Sequence, residues 1–110
     1  MNTVTLSARI QEIKQELAAL GPMRPGSLSE QYNVCGTAGC RCKDPKHPQK
    51  HGPYYHLNYT WQGKARTQFV KAGELETVRT QLETFKRFRA LCEEWVAVSL
   101  ELARVQRAAQ

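Results

Sequence analysis

The sequence predicts an α+β protein with an amphipathic N-terminal helix, a cysteine-rich loop joined to a small antiparallel sheet, and a long C-terminal helix. Three observations support this prediction. Apolar residues recur at three- and four-residue steps near both ends of the chain, apolar and polar residues alternate in the middle, and three of the four cysteines cluster just before that alternation. With 110 residues, 41% of them hydrophobic, we expect residues 1–110 to form a single domain.

The first predicted helix covers residues 3–20. Its apolar residues form a single stripe, which consists of Leu6, Ile10, Ile13, Leu17 and Leu20. Gly21 can take the left-handed conformation that caps a helix, and Pro22 prevents its continuation. The helix therefore has one apolar face to bury.

The segment 27–70 is predicted to hold the cysteine-rich loop and the sheet. Residues 28–34 form a candidate strand and residues 53–70 a candidate hairpin. We expect a three-residue loop at 61–63, because that register collects the apolar residues on one face. That face holds Tyr55, Leu57, Tyr59, Ala65, Thr67 and Phe69, and the opposite, polar face holds Tyr54, His56, Asn58, Thr60, Lys64, Arg66 and Gln68.

Residues 74–108 are predicted to form one long helix. Gly73 is its expected N-cap, and Glu74 and Glu76 complement the positive end of the helix dipole. Its apolar stripe consists of Leu75, Val78, Leu82, Phe85, Phe88, Cys92, Trp95, Val98 and Leu102. The first helix is too short to cover this stripe, so we expect a homodimer through a coiled coil, or docking on a larger protein complex.

The positive charge of the chain is concentrated in one segment. Residues 35–73 hold seven Lys and Arg against the single acid Asp44, a net charge of +6 that equals the net charge of the whole protein. A local excess of this size favours a polyanionic partner. No apolar run reaches the ~20 residues of a membrane span, and the first residues lack the layout of a secretory signal. The expected location is cytoplasmic, where cysteines are normally reduced.

The cysteine-rich loop carries the clearest chemical signal. Cys35, Cys40 and Cys42 lie within eight residues. Reduced cysteines brought together on a tight turn are typical of structural Zn²⁺ sites, so we predict a zinc knuckle. His51 is the preferred fourth ligand, and His47, His56 and Cys92 remain alternatives. A disulfide or a redox-active thiol is the competing interpretation, although the cluster contains no Cys-x-x-Cys motif.

These residues resemble a family of small uncharacterised prokaryotic proteins that are often found near transposons and other mobile elements. The resemblance is carried by Arg24-x-Gly26-Ser27-Leu28, Cys35-Gly36-x-x-Gly39-Cys40-x-Cys42, His51-Gly52-Pro53-Tyr54-Tyr55 and Gly63-Lys64-x-Arg66-Thr67. It implies an association with mobile elements but no activity, and it supports His51 as the fourth ligand. The hairpin is also similar, more loosely, to the β-sheet arm-binding domains of phage-type recombinases, which bind DNA.

We therefore predict a small zinc-binding, nucleic-acid-binding protein that serves a mobile element as an accessory or regulatory factor, with DNA favoured over RNA. The candidate nucleic-acid contacts are Arg41, Lys43, Lys46, Lys50, Tyr54, Asn58, Trp61, Lys64, Arg66 and Gln68. The alternative is a zinc-stapled adaptor that dimerises or binds proteins through the long helix. We do not expect an enzyme, because residues 31–73 offer only Asp44 as a carboxylate and show no nucleophile or phosphate-binding motif.

Overall fold

The computed structural model describes residues 2–109 and confirms the α+β fold. The elements follow the predicted order: α1 (Thr3–Ala18), β1 (Ser27–Asn33), a 3-10 turn (Arg41–Lys43), β2 (His51–Trp61), β3 (Lys64–Val70), a second 3-10 turn (Ala72–Glu74) and α2 (Leu75–Ala108). These elements form two compact units. One contains α1 and the part of α2 from Thr80 onward, and the other is Pro25–Arg79.

In the helical unit, α1 packs on α2 through its predicted apolar stripe. Leu6 and Ile13 of α1 are buried, as is Leu91 of α2. Arg9 Nη2 donates to Glu94 Oε1 at 2.7 Å, and Arg87 Nη2 donates to Glu16 Oε1 at 2.6 Å. Glu16 follows Arg9 in α1, whereas its partner Arg87 precedes Glu94 in α2, so the two helices run antiparallel.

The ends of both helices are defined by local hydrogen bonds. Asn2 caps α1, and its side chain accepts a hydrogen bond from the backbone N–H of Thr5 at 2.8 Å. α1 ends at Ala18, two residues before the predicted end. Gly73 is not the N-cap of α2 but lies inside the 3-10 turn that precedes it, where the Glu74 N–H donates to the Lys71 carbonyl at 2.9 Å. Within residues 2–109, neither helix is long and apolar enough to cross a membrane.

The other unit is built on a three-stranded antiparallel sheet in the order β1-β2-β3. Leu28 of β1 pairs with Leu57 of β2, and Tyr59 of β2 pairs with Arg66 of β3. The β2–β3 connection is therefore the two-residue turn Gln62-Gly63, and the predicted three-residue loop is wrong. Gln62 and Gly63 both have positive φ, 51° and 78°, the conformation whose twist matches that of the flanking strands in a tight hairpin.

The shorter turn changes which β3 residues share a face with β2. We call the face that carries the buried Leu57 and Val70 the core face; it also holds Leu28, Glu30, Tyr55, Tyr59, Trp61, Lys64, Arg66 and Gln68. We call the opposite face the outer face; it holds Ser27, Ser29, Gln31, Tyr54, His56, Asn58, Thr60, Ala65, Thr67 and Phe69. The prediction that Ala65, Thr67 and Phe69 lie with Leu57 is wrong, and Phe69 is 53% exposed.

Candidate metal centre

Four side chains with metal-binding atoms converge where the loop between β1 and β2 returns to the sheet. The loop, residues 34–50, supplies Cys35, Cys40 and Cys42, and His51 is the first residue of β2. The three sulfurs and a ring nitrogen of the histidine all lie within 4.8 Å of one another. The structure therefore brings together the three predicted cysteine ligands and the preferred histidine in a group that could hold a metal ion.

Two distances within the group are close to the edges of a tetrahedral site. Cys35 Sγ and Cys42 Sγ are 3.6 Å apart, and Cys40 Sγ lies 3.3 Å from His51 Nε2. Zinc–sulfur bonds of ~2.3 Å and zinc–nitrogen bonds of ~2.0 Å at tetrahedral angles require edges of about 3.8 and 3.5 Å. A disulfide requires sulfurs ~2.05 Å apart, and all four cysteines are free thiols. The geometry therefore fits a closed four-ligand ion rather than a cross-link.

Short-range hydrogen bonds shape the cysteine loop. The Lys43 N–H donates to the Cys40 carbonyl at 2.9 Å and closes the 3-10 turn that carries Cys42. Downstream, the Asp44 carboxylate accepts hydrogen bonds from the backbone N–H groups of Lys46 and His47 at 2.9 and 3.2 Å. Cys42 is the buried residue of this loop. Because almost no other side chain is enclosed, the cysteine group itself occupies the centre of the loop.

The return of the chain to the sheet places His51 against the thiols. His51 pairs with Asn33 across an irregularity in the β1–β2 ladder. The following Gly52 has φ 142°, and a Cβ added there would lie 2.8 Å from the Gln31 carbonyl oxygen and 2.9 Å from Tyr32 Cδ1. Glycine is thus the residue that permits this close approach of the two strands beside the histidine.

The local electrostatics favour metal-binding protonation states at two of the three thiols. A hydrogen bond from the backbone of Thr37, followed by contacts with His51 and the other cysteines, lowers the pKa of Cys35 to about 6. Hydrogen bonds from the backbone and thiol of Cys42 lower the pKa of Cys40. Burial raises the pKa of Cys42. Hydrogen bonds with the sulfurs of Cys35 and Cys40 raise the pKa of His51.

The three alternative ligands lie outside this group. His47 is exposed in the cysteine loop, and His56 lies on the outer face of the sheet, with its ring centroid 6.0 Å from that of Phe69. Cys92 belongs to α2, in the helical unit.

The predicted nucleic-acid contacts are spread over the loop and both faces of the sheet. Arg41, Lys43, Lys46 and Lys50 are exposed in the cysteine loop, and Trp61 is 63% exposed beside the hairpin turn. The prediction that the hairpin contacts share one polar face is wrong, because the two-residue turn separates them. Tyr54 and Asn58 lie on the outer face, whereas Lys64, Arg66 and Gln68 lie on the core-face side, at exposed positions of β3.

The basic residues of the two helices and those of the segment 35–73 differ in their partners. Within residues 2–109, the ion pairs involve basic residues of the two helices, namely Arg9, Arg79, Lys86, Arg87, Arg89 and Arg104. Within residues 2–109, no Lys or Arg of the segment 35–73 forms an ion pair. The one acid of the segment, Asp44, accepts hydrogen bonds from backbone N–H groups. The positive charge of this segment is therefore not neutralised within the described structure.

Two residues of the outer face did not stand out in the sequence. The sequence pattern predicts Phe69 and Thr67 on the same face as Leu57. The sequence signal that would have placed them outside is the Gln62-Gly63 pair, since a glycine in the second position of a two-residue loop is typical of the tightest hairpins.

Comparison with known proteins identifies the family but not a function. The family model described as a domain of unknown function (DUF6788) matches residues 4–80. Neither a curated protein nor a solved structure matches the chain. The matched segment holds α1, the whole sheet, the four candidate ligands and the start of α2. Since this match covers more than half of its length, the chain belongs to the DUF6788 family, a domain family of unknown function.

Proposed function

We propose that the protein is a zinc-stabilised nucleic-acid-binding module that serves a mobile element as an accessory or regulatory factor. The observation that carries the proposal is the coincidence of two features in one segment. The four-ligand group lies within residues 35–73, the segment that holds the whole net charge of +6. Within the described structure, the Lys and Arg residues of this segment have no carboxylate partner. The role in a mobile element is supported by the motif resemblance and not by the geometry.

Zinc is the metal that best suits this donor set. Three thiolates and one imidazole are soft and borderline ligands, which Mg²⁺ and Ca²⁺ do not select. Four protein ligands would close the coordination sphere, so the ion would stabilise the loop rather than activate water. The ligands Cys35, Cys40, Cys42 and His51 would then act in place of a hydrophobic core, which residues 34–50 do not have.

The basic residues would bind the phosphate backbone. Arg41 and Lys43 lie in the 3-10 turn that also carries the ligand Cys42, so metal binding fixes their backbone. Lys64 and Arg66 start β3 at exposed positions. Lys and Arg side chains without ion-pair partners can bind phosphates without first breaking an ion pair within the protein. Because each phosphate contact releases counterions from the nucleic acid, the affinity should fall as the salt concentration rises.

A fluorescence-anisotropy titration of the zinc-loaded chain with single- and double-stranded DNA and RNA at several salt concentrations tests the proposal. We expect binding that weakens steeply with salt, and its loss in the double variant Lys64→Glu, Arg66→Glu. The matched control is the double variant Lys86→Glu, Arg89→Glu on α2. It changes the net charge by the same amount, but at two basic residues that already form ion pairs. Absence of binding to all four nucleic acids at low salt, or equal losses in both variants, would contradict the proposal.

A specific observation also favours a second function, homodimerisation through α2. Val96 and Leu100 are 59% and 68% exposed, and with Cys92, Trp95 and Ser99 they line a groove of about 410 Å³. Phe88, Cys92, Trp95, Ser99 and Leu102 alternate steps of four and three, the spacing of a coiled-coil seam, which a second copy of the same helix fits. Light scattering coupled to size exclusion should give a dimer that becomes a monomer in Leu100→Glu. A wild-type monomer at high micromolar concentration would contradict this function.

A further inference from the structure

We propose that the outer face of the sheet is a stacking platform for the unpaired bases of a single-stranded nucleic acid, with Phe69 as the aromatic contact and Asn58 as the base-reading amide. The inference rests on the proposed nucleic-acid binding and adds the form of the nucleic acid and the face that holds its bases.

The outer face combines aromatic and neutral polar side chains and carries no charge. Its ten residues include no Asp, Glu, Lys or Arg. A surface of this composition has no Lys or Arg to attract a phosphate, and it suits the faces and edges of nucleobases. The unpaired positive charges lie elsewhere in the same unit, in the cysteine loop beyond Asn33 and at Lys64 and Arg66 on the core-face side of β3. The residues for phosphate contacts are thus separate from the residues for base contacts.

Phe69 is the aromatic ring that is most open on this face. It is 53% exposed, and its cross-strand neighbour His56 holds it edge to face, with ring centroids 6.0 Å apart and planes at 70°. In a T-shaped pair His56 can cover only one face of the phenyl ring, so the other face is left to another planar group. Stacking of a base on such a ring contributes about 1–3 kcal/mol and tolerates any base.

Asn58 is held in position next to this ring by the two neighbouring strands. Its Oδ1 accepts a hydrogen bond from Thr67 Oγ1 at 3.0 Å, and its Nδ2 donates to Ser29 Oγ at 3.1 Å. An amide has two N–H donors and two acceptor lone pairs, so one donor and one acceptor remain on an oriented group. This is the pair of functions with which asparagine recognises a base edge such as that of adenine.

A single strand fits this arrangement better than a duplex. In a duplex the bases stack on each other, so that their faces are not available to a protein ring. In a single strand the bases can turn onto the sheet while the backbone follows the basic residues. The stretch of β2 from Tyr54 to Thr60 is about 20 Å long, which leaves room for several nucleotides whose bases are unstacked from one another.

The test uses the full zinc-loaded chain with 12-nucleotide single strands of DNA and RNA and with the matching DNA duplex. Phe69→Leu keeps an apolar side chain of similar size but removes the ring. We expect it to weaken single-strand binding by about 5- to 100-fold, with little change for the duplex. Phe69→Tyr restores the ring and should bind like the wild type, and Val4→Ala on α1 is the control for an exposed apolar residue outside the sheet.

The salt dependence separates this inference from the proposed function. Phe69→Leu should leave the slope of log affinity against log salt unchanged, whereas Lys64→Ala should reduce the single-strand slope by about 0.7. Salt-dependent binding that Phe69→Leu does not weaken, or weakens equally for duplex and single strand, overturns the platform and leaves the proposed function intact. Absence of salt-dependent binding by the wild-type chain overturns both. The zinc content and circular dichroism of each variant show that it is folded.

Discussion

Tyr59 and Arg66 lie directly opposite each other in the ladder between β2 and β3. Because successive residues of a strand point to opposite faces, this one pairing decides that Lys64, Arg66 and Gln68 share the side of Leu57 and that Thr67 and Phe69 lie on the outer face. The pairing is fixed by the turn Gln62-Gly63, in which both residues have positive φ. The composition of the outer face therefore depends on a turn of two residues.

The turn contains a residue that is unfavourable in its conformation. Gln62 has φ 51°, which asparagine and glycine adopt with less strain than glutamine. We expect Gln62→Asn to stabilise the sheet unit by up to about 1 kcal/mol, because Asn-Gly is the preferred sequence of this turn. Urea denaturation measures the change. An equal or lower stability would contradict the two-residue turn, since a three-residue loop gains nothing from asparagine at this position.

Loss of one candidate ligand should release the metal. We expect Cys40→Ser to lower zinc content to below one-tenth of the protein concentration and to increase proteolysis within residues 34–50, because this loop has little other core. Cys92→Ser removes the one cysteine outside the group and should leave both properties unchanged. Metal analysis by mass spectrometry and limited proteolysis measure the two outcomes. Unchanged zinc content in Cys40→Ser would remove the metal assignment.

Zinc affinity should depend on pH in a direction that the thiol pKa values determine. Zinc binds thiolates and neutral imidazole, so it must displace the proton of Cys42, whose pKa burial raises above its ordinary value. Each displaced proton lowers the apparent affinity about tenfold for every pH unit of acidification. Between pH 7.5 and 6.0 we expect a loss of at least about 30-fold, and a steeper loss near pH 6 as Cys35, with a pKa of about 6, also takes up a proton.

Competition with a chromophoric chelator at a series of pH values measures this dependence, with the chelator's own protonation included in the fit. An affinity that is independent of pH across this range would show that no thiol proton is displaced, and would contradict ligation by Cys42.

Gly52 should be intolerant of a side chain. In Gly52→Ala the new Cβ would lie 2.8 Å from the Gln31 carbonyl oxygen, at a φ that L residues rarely adopt. We expect a loss of about 1–3 kcal/mol in stability, and weaker zinc binding because the neighbouring His51 is displaced. Gly73→Ala, which meets nothing within 4 Å, is the matched control and should be close to neutral. Thermal unfolding and zinc titration of both variants measure the difference.

The helices and the existence of the strands could be predicted from sequence because each has a strong local period. Leu6 and Ile13, on the predicted stripe of the first helix, are buried as expected, and α2 begins within one residue of the predicted start. Residues 28–34 were expected as a strand and β1 covers Ser27–Asn33. In these segments the periodic pattern and the buried face agree.

The hairpin register could not be predicted because both faces of β3 are chemically acceptable. Lys64 through Phe69 are all exposed, so burial does not select between Arg66 and Ala65 as the partner of Tyr59. Apolar alternation decides a register only where one face is enclosed, and here the enclosed residue is Val70 at the end of the strand. The turn conformation, not the pattern, sets the pairing.

The candidate metal group was predictable in part. Three cysteines within eight residues indicated a metal site, whereas the choice among His51, His47, His56 and Cys92 depends on how the chain returns to the sheet. The Gly52 approach that places His51 next to the thiols is a three-dimensional contact without a periodic signal. His51 was preferred because it lies just before the first predicted hairpin strand, and the motif resemblance supported that choice.

The two units differ in how far apart along the chain their contacting residues lie, and this difference affects the order in which the units fold. The four candidate ligands fall within residues 35–51, and β1, β2 and β3 are consecutive neighbours, so the sheet unit closes through short loops. In the helical unit, Arg9 meets Glu94, 85 residues later. Since short loops close faster than long ones, we expect the sheet unit to fold first during synthesis, while α1 waits for most of the chain to be made.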